Sequence, residues 1–201
     1  MTEKEKCRLQ MLYDANFNQE LIDERARCRQ RCWEYNQIQP DDVAGQRKAM
    51  QAILGSTKGE FQVMAPFWCD YGYNIHVGEN FFANYNTVIL DAGEVTFGND
   101  VFIAPDCCFT TAGHPIDYPR RNAGLEYAYP ITVGDNVWFG AGVKVMPGVT
   151  IGSNVVIGGG SVVVKDIPAN SVAVGNPCRV IRPITEEDEK RCWDRCPTEN
   201  K

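Results

Sequence analysis

Apolar residues return every six positions between Val133 and Pro168, in the units VGDNVW, FGAGVK, VMPGVT, IGSNVV, IGGGSV and VVKDIP. Val133, Phe139, Val145, Ile151, Ile157 and Val163 open these units. Val137, Val143, Val149, Val155, Ser161 and Ile167 follow each of them at the fifth place. A strand alternates with period two and a helix with period 3.6, and neither produces a beat of six. Six residues suit one short strand and a turn. Three such units close a triangular coil, and coils stack as parallel strands roughly 4.8 Å apart. The recurring apolar position points into the prism, while Gly, Asn and Asp accept the left-handed backbone angles of the turns. The pattern predicts a mainly β protein, a parallel β-helix. A sandwich of short strands would not hold six units in unbroken register.

The same beat is present upstream, as VGENFF from Val77, ANYNTV from Ala83 and ILDAGE from Ile89. Val95-Thr96 reads as a two-residue slip, after which Phe97, Ile103 and Phe109 resume the period. The aromatic residues 60–75, with Pro66 and Gly72, read as the lead-in to the coil. Between Gly113 and Pro130 the beat fails: HPIDYPRRNAGLEYAYP is polar, carries three prolines and cannot fill a coil interior. A long excursion from a regular scaffold carries function more often than not. Val172 to Ile184 reads as a last strand region.

Ahead of the coil the period turns helical. Leu21, Cys28, Cys32 and Tyr35 share one face, with Asn18 as cap. Pro40-Asp41-Asp42 starts the next helix, whose stripe is Val43, Met50, Ile53 and Leu54 and whose end is Gly55. This block is too small for a core of its own and must pack on the coil. Thr185-Glu186-Glu187-Asp188 resembles a capping box. The expected organisation is a helical segment 1–58, a β-helix 59–184 with a protruding loop 113–130, and a C-terminal helix and tail 185–201.

Composition narrows the function. The chain has 201 residues, 44% hydrophobic and 23% charged, with a net charge of −6. That balance argues against nucleic acid as a partner. No apolar run reaches the roughly 20 residues of a membrane span, and MTEKEKCRLQ lacks the apolar core of a secretory signal. The nine cysteines form no Cys-x-x-Cys pair. Cys28/Cys32 and Cys192/Cys196 have the i, i+4 spacing of one packed helix face, so free buried thiols in a reducing cytoplasm are expected.

Only two histidines are present, His76 and His114. His114 stands where the loop leaves the coil, before Pro115, and imidazole is the side chain suited to moving a proton near neutral pH. His76, between Ile75 and Val77, reads as outward and structural. Two histidines cannot supply the three-His zinc site of the γ-type carbonic anhydrases, which use a similar scaffold, so no metal is expected in the chemistry. Cys107-Cys108 reads as packing, with one of the two inside. Lys144, Lys165, Arg179 and Arg182 fall late in the chain, where they either hold an anionic phosphate ligand or are simply solvated.

Five stretches together resemble a known family: LYDAN, CDYGYNIHVGENFFANYN, TAGHPID, PITVGDNVWFGAGVKVMPGVTIG and VVKDIPANSVAVGNPCRVIR. The chain resembles the hexapeptide-repeat O-acetyltransferases over nearly its whole length, within the maltose, galactoside and nodulation-factor group and nearest the maltose type. The resemblance implies a left-handed β-helix, a homotrimer with sites between subunits, acetyl-CoA as donor and a sugar hydroxyl as acceptor. It implies His114 as general base and Asn84 as stabiliser of the oxyanion. Asp14 and Asp70 would bond the acceptor's other hydroxyls, with Phe82 and Glu126 lining that pocket. Trp138, Ala141, Gly159, Val164, Lys165, Arg179 and Arg182 would contact CoA. Ala141 and Val164 stand where relatives often have Ser and Thr. A chloramphenicol- or streptogramin-type acceptor and a non-enzymatic binding module are the alternatives.

Overall fold

The structure, a computed structural model, describes residues 1–190. The expected tail and the Cys192/Cys196 pair lie outside the described residues. Short parallel strands wind around three faces of a prism. One face stacks Ser56–Thr57, Ile75–Val77, Val95–Phe97, Ile131–Val133 and Thr150–Ile151. The second stacks Phe61–Val63, Phe81–Ala83, Val101–Ile103, Val137–Phe139, Val155–Ile157 and Ser171–Val174, and closes with Arg179–Pro183. The third stacks Phe67–Cys69, Thr87–Leu90, Cys108–Thr110, Lys144–Val145 and Val162–Val163. The prism is a left-handed parallel β-helix.

Both marked positions of each six-residue unit are buried, from Val133 and Val137 to Val163 and Ile167. Ser161 takes a core place because its hydroxyl donates to the Gly158 carbonyl and accepts from Gly175 N at 3.0 Å. A file of rings, Phe81, Phe97, Phe109 and Phe139, runs through the interior from the wider early turns into the first regular one, with successive centroids 5.1 Å apart. Each fully buried side chain of this size contributes about 1.5–3 kcal/mol of transfer free energy. Cys107 is inside and Cys108 faces outward, as the register demands.

Four expectations change. Residues 60–75, read as a lead-in within the 59–184 β-helix, already carry strands ahead of the hexads at Val77: Phe61, Val63, Phe67 and Cys69 are buried, and the strand Phe61–Val63 pairs with Phe81–Ala83. Residues 60–75 are therefore rungs, hidden from the hexad pattern because their third connection is two residues longer. The N-terminal block is not helical throughout. Helices α1 (Glu3–Arg8), α2 (Gln19–Asn36) and α3 (Val43–Ile53) are interrupted by a strand, Tyr13–Asp14. Val43 is exposed rather than part of the apolar stripe, because it opens the first turn of α3. The region 172–184 is an antiparallel hairpin, Ser171–Val174 with Arg179–Pro183, not one strand.

The caps behave as read. Asn18 accepts from Leu21 N and Asp42 from Gly45 N. Thr185 N donates to Asp188 Oδ2 at the start of the short C-terminal helix Glu186–Glu189. The helices close the open end of the coil. Asn36 at the end of α2 mimics a neighbouring strand, donating to the Phe67 carbonyl and accepting from Phe67 N at 3.1 and 2.9 Å.

Turn length varies at one edge only. Ile75 pairs with Val95, twenty positions on; Thr132 with Thr150, eighteen on; Val155 with Ser171, sixteen on. The gain and the loss both fall where the third face turns into the first. The long loop leaves from that same edge.

Candidate active site

The loop is a built element rather than irregular chain. Ala112–Gly113 and Leu125–Ala128 pair antiparallel, and Tyr13–Asp14 adds to them as a third strand. Helix α4 (Tyr118–Asn122) sits at the tip, capped by Asp117, with Pro119 in its first turn. Gly113 allows the chain to pass under the Tyr127 ring, which a Cβ at that position would strike.

This hairpin fixes His114. Its Nδ1 lies 3.0 Å from the Leu125 carbonyl oxygen, which can only accept, so Nδ1 carries the proton. The neutral ring then presents an unprotonated Nε2. Glu126 Oε1 lies 3.8 Å from that nitrogen, beyond a hydrogen bond but close enough to stabilise an imidazolium. The imidazole is half exposed while Glu126 is largely covered. Tyr13 holds Glu126 by donating to Oε2 at 3.2 Å, and Asn16 Nδ2 approaches Oε1 at 3.5 Å.

Asp14 and Asp70 join the same corner. Asp14 accepts from Asn16 N and Phe17 N, which closes a tight turn beside the hairpin, and its own N–H donates to Glu3. Asp70 begins the first of the lengthened connections. Burial pushes its carboxyl above the usual range, Glu126 pushes the same way, and Arg25 and Arg29 oppose. Glu126 thus connects the parts of this corner: it lies beside the imidazole of His114 and acts electrostatically on Asp70.

Sequence reasoning missed what holds this corner. Asp91 is fully buried, and its Oδ1 accepts from Asp70 N and Tyr71 N at 3.0 and 2.9 Å. Its Oδ2 has no partner among the described residues, and burial raises the carboxyl to about 6. Arg25 bridges the Tyr71 hydroxyl and the Ala15 carbonyl at 2.6 and 2.5 Å. The two-residue slip read at Val95-Thr96, whose extra residues the structure places between Ile89 and Val95, was the available signal for Asp91, since a polar residue in a lengthened rung needs a partner across it. His76 does face outward, 2.9 Å from Ser56 Oγ and 3.7 Å from Glu94.

Asn84 lies elsewhere, on the edge between the second and third faces. Its Oδ1 accepts from Tyr85 N at 2.8 Å, which leaves the Nδ2 hydrogens without a partner among the described residues. One protomer therefore separates Asn84 from His114 by a whole face. Phe82 is also on the second face, in an outward row with Phe102 and Trp138.

Family models match two parts of the chain: residues 6–59 fit the maltose acetyltransferase hexapeptide capping motif, and residues 130–165 fit the bacterial transferase hexapeptide, six repeats. A Saccharomyces cerevisiae protein provisionally named an acetyltransferase is 53% identical over 177 residues, 88% of this chain and 90% of its own length. The chain belongs to the hexapeptide-repeat acetyltransferases. A maltose O-acetyltransferase from Clostridium difficile 630 is 49% identical, covering 92% of this chain and 98% of its own, with a TM-score of 0.90. A galactoside acetyltransferase in complex with coenzyme A is 40% identical, covering 97% and 96%, with a TM-score of 0.92. The Vibrio cholerae hexapeptide-repeat acetyltransferase complexed with acetyl coenzyme A is 34% identical, covering 92% and 100%, with a TM-score of 0.84.

As a member of this family the protein is an acyltransferase with acetyl-CoA as co-substrate. Its expected donor residues are spread over the coil. Ala141 and Gly159 stack along the edge that bears Asn84, where Gly160 N donates to the Ala141 carbonyl at 2.8 Å. Val164 and Lys165 turn the corner below the loop. Arg179 and Arg182 project from the terminal hairpin. Arg182 is already engaged, making two 2.8 Å bonds to the Asp188 carboxylate.

Proposed function

We propose that this acetyltransferase transfers the acetyl group to a hydroxyl of a sugar by direct attack, with His114 as general base. The carrying observation is the Leu125 carbonyl locking Nδ1–H of His114, which leaves Nε2 free on the side of Glu126. Nε2 takes the hydroxyl proton, the oxygen attacks the thioester carbonyl, and a tetrahedral oxyanion forms. Asn84 donates to that oxyanion. Collapse breaks the C–S bond, and imidazolium returns the proton to the CoA thiolate. Glu126 stabilises the imidazolium, and Asp14 and Asp70 accept bonds from the neighbouring hydroxyls. Phe82, Trp138, Ala141, Gly159, Val164, Lys165, Arg179 and Arg182 keep their proposed contacts.

The enzyme works as a homotrimer. Two features support this: Asn84 and His114 are on different edges of one chain, and the second face shows an outward row of Phe102 and Trp138, 41% and 52% exposed. Seven free cysteines among the described residues support the cytoplasm as the site of action. Among those residues no helix is long and apolar enough to cross a membrane.

Release of CoA from acetyl-CoA, measured with maltose, glucose, galactosides and chloramphenicol, tests this reading. A sugar is expected to be the best acceptor, and His114→Ala to lower the rate about 10²–10⁴-fold. Equal rates in the two proteins would remove the role of His114, and chloramphenicol as the sole acceptor would remove the sugar. Lys165→Ala with Arg179→Ala is expected to raise KM for acetyl-CoA; an unchanged KM means those charges are only solvated.

A further inference from the structure

The seam between α2 and the first turn of the coil holds three sulfurs that the chemistry above does not use. Cys28 and Cys32 stand one turn apart on α2, and Cys69 ends the strand that α2 covers. Cys69 Sγ lies 3.5 Å from Cys28 Sγ and 3.6 Å from Cys32 Sγ. All three sulfurs lie within 4.8 Å of one another. The residues are buried, at 4%, 0% and 8% exposure, and all are free thiols. Sequence spacing placed Cys28 and Cys32 on a packed face, and they are on it. The third sulfur meets them only through the fold.

We propose that Cys28, Cys32 and Cys69 form a trigonal thiolate site for one Cu(I) ion, which fastens α2 to the coil. Soft thiolates favour Cu(I), zinc and iron–sulfur centres. A thiolate sits about 2.3 Å from a closed-shell d¹⁰ ion such as zinc, so three in a plane around Cu(I), also d¹⁰, stand roughly 4 Å apart. The two edges that meet at Cys69 therefore need to lengthen by only a few tenths of an ångström. Structural zinc almost always takes four protein ligands, and among the described residues no fourth His, Cys, Asp or Glu joins this group. Binding exchanges no electrons: the ion replaces up to three S–H protons, which leave to solvent. The covered position excludes water and shields Cu(I) from oxidation.

The reduced full-length protein is titrated anaerobically with Cu(I) against a chromophoric Cu(I) chelator. One retained equivalent per chain and a raised thermal midpoint are expected. Cys32→Ala and Cys69→Ser lose both effects, whereas Cys7→Ser, Cys108→Ser and the Cys192→Ser/Cys196→Ser double variant keep them. X-ray absorption on the loaded wild type is expected to give a three-coordinate shell of sulfur alone, which does not depend on any variant folding. The site is overturned by absence of retained copper, by retention unchanged in Cys32→Ala, or by nitrogen or oxygen in the shell. It is overturned equally by displacement of copper with equimolar Zn(II), or by a Cys28–Cys69 disulfide recovered after thiol-blocking lysis.

Discussion

Asp91 shows how one carboxylate can organise a site without entering it. It spends one oxygen on the two N–H groups that shape the Asp70 corner and leaves the other unpartnered in a covered position. Its folded pKa of about 6 stands above the ordinary 3.8, so the folded state binds this proton more tightly than the unfolded chain. Stability from this group is therefore fully present below pH 4 and is lost as pH rises through about 6. A shift of roughly two units corresponds to about 3 kcal/mol. Asp91→Asn keeps an acceptor for both N–H groups but cannot ionise. Denaturant unfolding at pH 4 and pH 7 should show the wild type losing about that much relative to the variant. Parallel pH courses in the two proteins would refute the assignment. Asp70 shifts the same way and itself pushes Asp91 up, so the difference between the two proteins reads Asp91 together with its coupling to Asp70.

At the scale of elements, the rungs are locked by turn chemistry and by close backbone approach. Asn80, Asp100, Asn136 and Asn154 take positive φ of 53 to 57° at successive corners of one edge. Side-chain bonds tie consecutive corners, as Asn80 to Asp100 at 2.7 Å and Asn154 to Asn170 at 2.9 Å. Beside them Gly78, Gly98, Gly134 and Gly152 stack so tightly that a Cβ on each would enter the next rung. At Gly134 the struck atoms include Ser153 N at 2.7 Å and Gly152 C at 2.9 Å, and backbone cannot step aside. Gly134→Ala should cost about 1–3 kcal/mol, as overpacking does, read as a fall in Tm of roughly 2–4 °C per kcal/mol. Gly93→Ala is the control. Its nearest contact would be 3.5 Å and its φ is not positive, so a change within about 0.5 kcal/mol is expected. Equal losses at the two positions would contradict the ladder.

For the whole molecule, the separation of Asn84 from His114 bears on the proposed homotrimer. If neighbouring copies supply the two residues to one site, Asn84→Ala and His114→Ala proteins are each nearly inactive alone. Mixed assemblies of the two regain part of the activity, because some clefts then receive both native residues. Unfolding and refolding the pair together, followed by the CoA-release assay, measures this. No recovery above either parent would place both residues in one chain's site or dismiss one of them. Phe102→Arg, on the exposed aromatic row, should dissociate the assembly in sedimentation and remove activity with it; a full-sized, active variant would free that face from the interface.

The sequence by itself determined the prism. A beat of six with two apolar places per unit admits little else, because both places must point inward and the turns between them need Gly, Asn or Asp. It also marked His114, since the one break in a regular pattern is visible as a break. Only the tertiary structure decided what surrounds that imidazole. The Leu125 carbonyl reaches His114 across the loop hairpin, while Tyr13 with Glu126 and Asp91 with the Asp70 corner join residues farther apart in the chain, and such contacts leave no period to read. The early rungs at Phe61 and Phe67 were hidden for a related reason: a connection two residues longer breaks the count while the stacking of strands continues. The Cys28–Cys32–Cys69 triangle exists for the same cause, a helix laid across a strand by the burial of its apolar face.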